Sequence, residues 1–202
     1  MAYPTVDKTY GFKPINRLDG LPYAGQTRLI PIAASYATAI LNGDTVSIDT
    51  NGVIVAKTTS DSGTAVGVLV GCQYVNSLGQ TVQAQAYPAG ASTSTNPAYA
   101  YVVDDPFATF KVVAAASSTT TPTGYTRALV GSNVAMATAT GSTTTGDSAY
   151  GINGASATTD AAFPIRVVDV VPETSYISGG VTYYYEFVVK FNLHQYLATT
   201  GV

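Results

Sequence analysis

Between residues 27 and 113 the sequence is divided into short segments in which apolar and polar residues alternate, and glycine-containing turns separate these segments. A period of two residues is typical of β-strands, whereas an amphipathic helix would show a period near 3.6. Asn42-Gly43 and Asn51-Gly52 supply residues that tolerate the positive φ angles of tight hairpins. The predicted strands in this region are 27–32, 45–48, 53–56, 65–74, 82–87, 98–103 and 107–113. The sequence therefore predicts an all-β protein.

Charged residues are scarce, and this scarcity limits the kinds of chain that fit. The 9 basic and 12 acidic side chains make 21 charged positions, or 10% of the 202 residues, against about 25% in ordinary soluble domains. Threonine and serine together number 44, which favours strands over helices. Disorder is excluded because 46% hydrophobic residues, 15 tyrosines and a net charge of only -3 can bury enough apolar area to offset chain entropy.

Three regions follow from the distribution of turn-forming residues. Residues 1–26, in which proline and glycine recur, are predicted as an extended N-terminal arm. Residues 27–113 are predicted as a small β-barrel-like domain, and residues 114–202 as a second β-rich lobe. Within that lobe, 114–126 and 137–162 are rich in serine, threonine, glycine and alanine, so we expect surface loops there; 137–162 has the composition of a disordered linker. Segments 39–46 and 127–134 resemble each other, which leaves an internal duplication open.

Two long strands, 163–171 and 181–192, are predicted at the end of the chain. Alternation in the second strand predicts that one of its faces belongs to the core. The residues on that face are Tyr183, Tyr185, Phe187, Val189 and Phe191. Because an exposed edge of this length and apolarity would aggregate, we expect the strand to be central in its sheet or covered by another subunit.

The residues that usually carry chemistry are few. Cys72, the only cysteine, lies in an apolar run and is predicted to be a small buried residue. His194 is the only histidine, and no Gly-x-Ser-x-Gly turn is present to form a hydrolase triad with it. Asp104-Asp105 is predicted to be a turn that caps backbone amides. The residues spaced most like a calcium loop are Asp44, Asp49 and Asn51. We therefore predict no enzymatic activity and no cofactor.

The N-terminal arm concentrates aromatic and basic residues, as expected of a segment that docks on its own domain or on a neighbour. The predicted contacts with a neighbouring protein or subunit in and beside the arm are Tyr10, Phe12, Lys13, Arg17, Tyr23 and Arg28. If the arm docks on a neighbour, removal of residues 1–26 should weaken that attachment and leave the barrel folded. Nucleic acid and membranes are not expected partners, because the pI is near 4.8 with nine dispersed cations, and no apolar run reaches the length of a membrane span.

Several short segments together resemble the small β-barrel of capsid cement, or head decoration, proteins of tailed phages. These segments are Ile40-Leu-Asn-Gly-Asp-Thr-Val46, Asn51-Gly-Val-Ile-Val-Ala56, Val66-Gly-Val68 and Gly79-Gln-Thr-Val-Gln-Ala84. A wider frame is similar to virion structural proteins of marine tailed phages. This frame comprises Tyr10-Gly-Phe-Lys-Pro14, Thr27-Arg-Leu-Ile-Pro-Ile32, Tyr101-Val-Val-Asp-Asp-Pro106 and Phe191-Asn-Leu-His-Gln-Tyr196. Residues 114–202 extend beyond a minimal cement barrel.

The resemblance implies a structural protein that binds the outside of a phage capsid and stabilises it. Its implied partners are the major capsid protein and copies of itself, most simply as a homotrimer; it would be made in the host cytoplasm and located on the virion surface. The low charge suits a protein that buries much of its surface against neighbours. A tail, neck or fibre component of the same virion and a glycan-binding module that uses exposed tyrosines remain alternatives.

Overall fold

The computed structural model describes residues 6–58, 63–199 and 201, and it confirms an all-β protein. The first eight strands are β1 (Lys13–Arg17), β2 (Arg28–Pro31), β3 (Thr45–Ile48), β4 (Ile54–Ala56), β5 (Gly67–Val75), β6 (Thr81–Ala84), β7 (Tyr99–Val103) and β8 (Ala108–Ala115). The remaining six are β9 (Asn133–Ser142), β10 (Asp147–Thr158), β11 (Ile165–Val170), β12 (Ser175–Ser178), β13 (Val181–Tyr184) and β14 (Glu186–Phe191). Single-turn 3₁₀ helices occupy Arg127–Leu129, Pro172–Thr174 and Gln195–Leu197.

Six strands from the first half of the chain form a sheet that we call the open sheet, because its end strands β2 and β4 meet only at a single bridge between Ile32 and Ile54 and not along a ladder. Its order is β2-β7-β5-β3-β4, and β6 pairs with β5. All neighbouring strands in this sheet are antiparallel, and each lies within two or three residues of its predicted position. The buried side chains of this sheet, which include Ile40, Val46, Leu69 and Tyr87, form a core of their own.

A five-stranded barrel lies in the second half of the chain. Strands β8, β10, β9, β11 and β14 pair in that order, and β14 pairs back to β8 to close the ring. The predicted barrel-like domain at 27–113 corresponds to the open sheet, whereas this barrel lies in the region that was predicted only as a second β-rich lobe. Strand β8, predicted to end the first domain, belongs to the barrel: it pairs with β14 on one edge and with β1 and then β10 on the other. This closure depends on pairings between distant residues, which local alternation does not reveal.

The expected loop at 137–162 is also corrected. Residues 133–142 and 147–158 form β9 and β10, the two longest strands, which pair with each other. Alanine and glycine are frequent here because these strands are buried on both faces. At Gly151 an added Cβ would lie 2.7 Å from the backbone oxygen of Val113, and at Gly154 it would lie 2.4 Å from the Tyr125 ring. Close packing, rather than flexibility, explains this composition.

The N-terminal arm is an integral part of the fold. β1 adds to the barrel sheet through β8, and Phe12 is fully buried in the barrel core. The Phe12 ring stacks on Phe191 and meets Phe110 edge-on, at centroid distances of 6.1 and 6.3 Å. Removal of residues 1–26 would take a strand and a central aromatic ring from the barrel of the second half of the chain.

The predicted C-terminal strand is interrupted at Tyr185. Phe187, Val189 and Phe191 are buried in the barrel core, as predicted. Tyr183 and Tyr185 are not in that core, because β13 leaves the barrel and forms a two-stranded sheet with β12. Both tyrosines instead stack on Tyr176, at centroid distances of 5.3 and 4.9 Å. The break changes which residues face inward, so one uninterrupted alternation does not describe this segment.

The chain that follows β14 ties the barrel to the open sheet. The N–H of Ala65 donates to the Leu193 carbonyl (3.1 Å), and the N–H of Gln195 donates to the Ala65 carbonyl (2.9 Å). The Gln195 side chain accepts from the N–H of Ile48 (2.7 Å) and donates to its carbonyl (2.8 Å), as a neighbouring strand would. The two cores are therefore connected by backbone pairing as well as by packing.

A candidate interaction surface

The Asp104-Asp105 turn connects β7 of the open sheet to β8 of the barrel. The Asp105 carboxylate accepts a hydrogen bond from the N–H of Phe107 (2.9 Å), and its carbonyl accepts one from the N–H of Ala108 (3.0 Å). This arrangement confirms the predicted capping turn. The same two aspartates also organise the charged groups around them.

Two arginines are held by this turn. Arg17 lies 2.6 Å from Asp105 and 2.7 Å from Asp19, and its hydrogen bonds to Asp19 lower the pKa of that carboxyl. Arg28 lies 2.8 Å from Asp104, and its guanidinium carbon is 4.9 Å from the centre of the Tyr196 ring. Two cations and three carboxylates are therefore paired within a small area, and their summed charge is -1.

Exposed apolar side chains surround these ion pairs. Leu18, Leu21, Phe107 and Leu197 are 45%, 56%, 48% and 62% exposed, and Tyr196 is 41% exposed. Backbone hydrogen bonds fix the first three: the N–H of Leu18 donates to the Phe107 carbonyl (2.8 Å), and the N–H of Arg17 donates to the Leu21 carbonyl (3.1 Å). We call this region the turn face; it comprises Arg17, Leu18, Asp19, Leu21, Arg28, Asp104, Asp105, Phe107, Tyr196 and Leu197. Clustered apolar groups with mutually paired charges are typical of protein interfaces.

The six predicted contact residues lie in different surroundings, and only two of them are on the turn face. Arg17 and Arg28 lie on the turn face. Tyr23 is half-buried against the barrel core, and its hydroxyl donates to the Gln26 carbonyl (3.3 Å). Phe12 is buried and therefore unavailable to a partner.

The remaining two predicted contacts bind groups of their own chain. The hydroxyl of Tyr10 donates to the Glu186 carboxylate, and burial together with this carboxylate raises the pKa of Tyr10. Lys111 reaches the same carboxylate at 3.2 Å. Lys13 donates to the side-chain oxygen of Asn42 at 2.6 Å. Tyr10 and Lys13 thus hold the N-terminal segment in place.

Sequence reasoning missed the apolar residues of the turn face. Leu18, Leu21 and Phe107 lie in turns or irregular segments and Leu197 lies in a 3₁₀ helix, where no alternation marks them as exposed or buried. The available signal for the first three was their position: each is a large apolar residue within three residues of a glycine, proline or aspartate turn. Such residues have no strand partner to cover them.

Two open clefts lie where the β9–β10 hairpin meets the segment before β3. The larger cleft, of about 480 Å³, is lined mainly by apolar side chains that include Leu41, Tyr74 and Tyr87. The smaller cleft, of about 330 Å³, contains Asp44 and Tyr150. Asp44 is buried and accepts a hydrogen bond from the N–H of Leu41 (2.8 Å), and its burial raises the pKa of this carboxyl. Neither lining includes a lysine, arginine, histidine or cysteine.

The residues considered as metal ligands or as a nucleophile have structural roles. Asp49 holds the backbone N–H groups of Asn51 (2.8 Å) and Val53 (3.2 Å), whereas Asp44 holds Leu41. Within the described residues, no group of three or more His, Cys, Asp or Glu side chains is placed to hold a metal ion. Cys72 is buried as predicted, and burial raises the pKa of its thiol to about 11.

His194 is buried and caps the last 3₁₀ helix. Its Nδ1 atom accepts a hydrogen bond from the N–H of Tyr196 at 3.2 Å, and burial lowers the pKa of its imidazole. A neutral imidazole suits this acceptor role, and the interaction anchors the chain beside the turn face.

Comparisons with protein-family models, with curated proteins and with solved structures found no match to this chain. Over the described residues, no helix has both the length and the apolarity needed to span a bilayer. On the turn face, backbone hydrogen bonds and ion pairs connect several exposed apolar residues.

Proposed function

We propose that this protein is a structural component of a tailed-phage virion that binds the outside of the capsid lattice as a cement or decoration protein. The observation that carries the proposal is the turn face, where half-exposed leucine and phenylalanine side chains surround arginines already paired with aspartates. The resemblance of the sequence to capsid cement proteins supports the same function.

The electrostatics of the turn face suit attachment through apolar area. Because Arg17 and Arg28 are paired with carboxylates of their own chain, a partner does not need to supply countercharges. Binding would then remove leucine and phenylalanine surface from water, and this burial is the dominant favourable contribution in most protein associations. Such attachment should depend little on salt, unlike binding guided by opposite charges.

Stabilisation of the capsid follows from selective binding. A protein that binds the assembled lattice but not its free subunits shifts the equilibrium towards the lattice by mass action. Binding at a joint between capsid subunits would add buried area there and oppose internal pressure. Symmetric placement, with three copies around a local threefold axis, is the simplest arrangement on such a lattice.

The proposal is tested by co-sedimentation of the purified protein with capsids that lack it. The double variant Leu21→Ser, Phe107→Ser removes apolar contacts from the turn face, and its affinity should fall by about tenfold or more, equivalent to about 1.4 kcal/mol. Leu78→Ser is the matched control, because Leu78 is 80% exposed in the turn at the far end of β5. Equal binding by the double variant and the control would contradict a role for the turn face. Absence of wild-type binding to capsids would contradict the proposed function itself.

A further inference from the structure

Lys13 and Asn42 are brought into direct contact by two distant parts of the chain. Lys13 is the first residue of β1, and Asn42 lies in the turn that precedes β3. The Nζ atom of Lys13 is 2.6 Å from Oδ1 of Asn42. The amine therefore contacts the oxygen that is bonded to Cγ, the carbonyl carbon of the Asn42 side-chain amide.

Every other polar group of Asn42 is fixed by the fold. Its backbone N–H donates to the Gly146 carbonyl (2.9 Å), and its own carbonyl accepts from the N–H of Ser148 (3.1 Å). Its side-chain Nδ2 donates to the Val70 carbonyl at 2.8 Å. These contacts hold the amide in one orientation, with its oxygen towards Lys13. Such fixed positioning is what raises the rate of a reaction between two groups of one molecule.

The surroundings of Lys13 favour the neutral, nucleophilic form of its amine. Lys13 is partly buried, and burial lowers its pKa, although the charges of Asp147 and Asp44 act in the opposite direction. Among the described carboxylates, none lies within ion-pair distance of Nζ. A lysine that is desolvated without a direct counterion is a better nucleophile than one in water.

We propose that Lys13 and Asn42 react to form an intramolecular isopeptide bond. Nζ attacks Cγ of Asn42, the bond from Cγ to Nδ2 breaks, and Nδ2 leaves as ammonia with the proton that Nζ loses. An amine and a primary amide are thereby converted into a secondary amide and ammonia, and no oxidant or other reactant is required.

The cross-link would have a structural purpose that is separate from the turn face. It joins β1 of the barrel sheet to the turn before β3 of the open sheet and closes a loop of 29 residues. A covalent closure restricts the unfolded chain and prevents separation of the two sheets at this point.

Tryptic peptide mapping by mass spectrometry tests the proposal on the full-length protein. Trypsin releases Lys13 in peptide 9–17, because proline follows it, and Asn42 in peptide 29–57. We expect these two peptides to be recovered joined, with their summed mass reduced by one ammonia. Recovery of only the two separate peptides would overturn the proposal.

Asn42-Gly43 can also lose ammonia by closing a succinimide on its own backbone, so the variants must separate the two reactions. Lys13→Arg keeps the positive charge and the hydrogen-bond donor but cannot form the cross-link, and it should retain the full sequence mass. Loss of ammonia without joined peptides, in the wild type and in Lys13→Arg alike, would assign the loss to succinimide and overturn the proposal. Asn51→Ala is the matched control, because Asn51 is an exposed asparagine before glycine; the joined peptides should persist in it.

Discussion

Phe12 illustrates how a single residue of the N-terminal segment determines whether the barrel is complete. Its ring is fully buried between Phe110 and Phe191. We expect Phe12→Ala to lower the free energy of unfolding by about 3–5 kcal/mol, because the change removes buried apolar area and leaves a cavity. Urea denaturation measures this loss, and Leu21→Ala, at an exposed position in the same segment, should change stability by about 0.5 kcal/mol or less. Equal midpoints for the two variants would place Phe12 outside the core.

The buried His194 gives the protein a defined pH dependence. Burial lowers its pKa in the folded state below the unfolded value of about 6.5. The unfolded chain therefore binds more protons, and the stability present above pH 6.5 is lost as the pH falls below it. Protonation would also place a hydrogen on Nδ1, where the N–H of Tyr196 already donates.

The test compares the thermal midpoints of wild type and His194→Gln at about pH 7.5 and about pH 5.5, on either side of the unfolded histidine pKa. We expect the wild-type midpoint to fall more than that of the variant as the pH is lowered. The pKa of Asp44 is raised by burial and acts with the opposite sign at lower pH, but it contributes to both proteins. Parallel changes in the two midpoints would show that His194 does not titrate with unfolding.

At the scale of elements, the β9–β10 hairpin depends on close approach between backbones. In β10, a Cβ at position 151 would lie 2.7 Å from the Val113 oxygen and 2.8 Å from the Thr9 side chain. We expect Gly151→Ala to reduce the free energy of unfolding by about 1–3 kcal/mol, since β10 must move away from β8. Ala155→Ser, at an exposed position of the same strand, is the control for chemical denaturation. An unchanged stability of Gly151→Ala would show that the two strands have room between them.

Local patterns predicted individual strands better than they predicted how the strands assemble. The segment 45–48 was predicted with the bounds of β3, since hairpin turns flank it and its residues alternate. Strands β9 and β10 were missed because alanine, threonine and glycine are typical of loops as well as of strands buried on both faces. The barrel in the second half of the chain was predicted only as a β-rich lobe, because its closure joins β8 to β14 across most of that half.

The candidate site was predicted only in part, for the same physical reason. Arg17 and Arg28 were predicted as contacts in and beside an arm that concentrates charged and aromatic residues, and both lie on the turn face. Phe12 and Lys13 were predicted as contacts on the same grounds. Phe12 is buried and Lys13 binds Asn42, so both residues hold the fold together. Whether a residue of an extended segment faces outward depends on tertiary contacts, which its residue type does not encode.

At the scale of the whole molecule, the distribution of charge suits a protein repeated many times at close spacing. With 21 charged residues and a net charge of -3, neighbouring copies would repel one another little. The charges of the turn face are also paired within one chain. These features suit a lattice-wide component, but a tail, neck or fibre protein shares the need for β-structure and low charge.

Copy number in purified virus particles separates these alternatives. If the protein decorates the capsid lattice, symmetry requires its ratio to the major capsid protein to be about one or a simple fraction such as about one third. Quantitative mass spectrometry of purified particles, with isotope-labelled peptides from both proteins, measures this ratio. We expect the lattice value, because a face that attaches through apolar area to one joint fits every equivalent joint. A few to a few dozen copies per particle would assign the protein to the tail, neck or fibres, and its absence from particles would contradict a virion role.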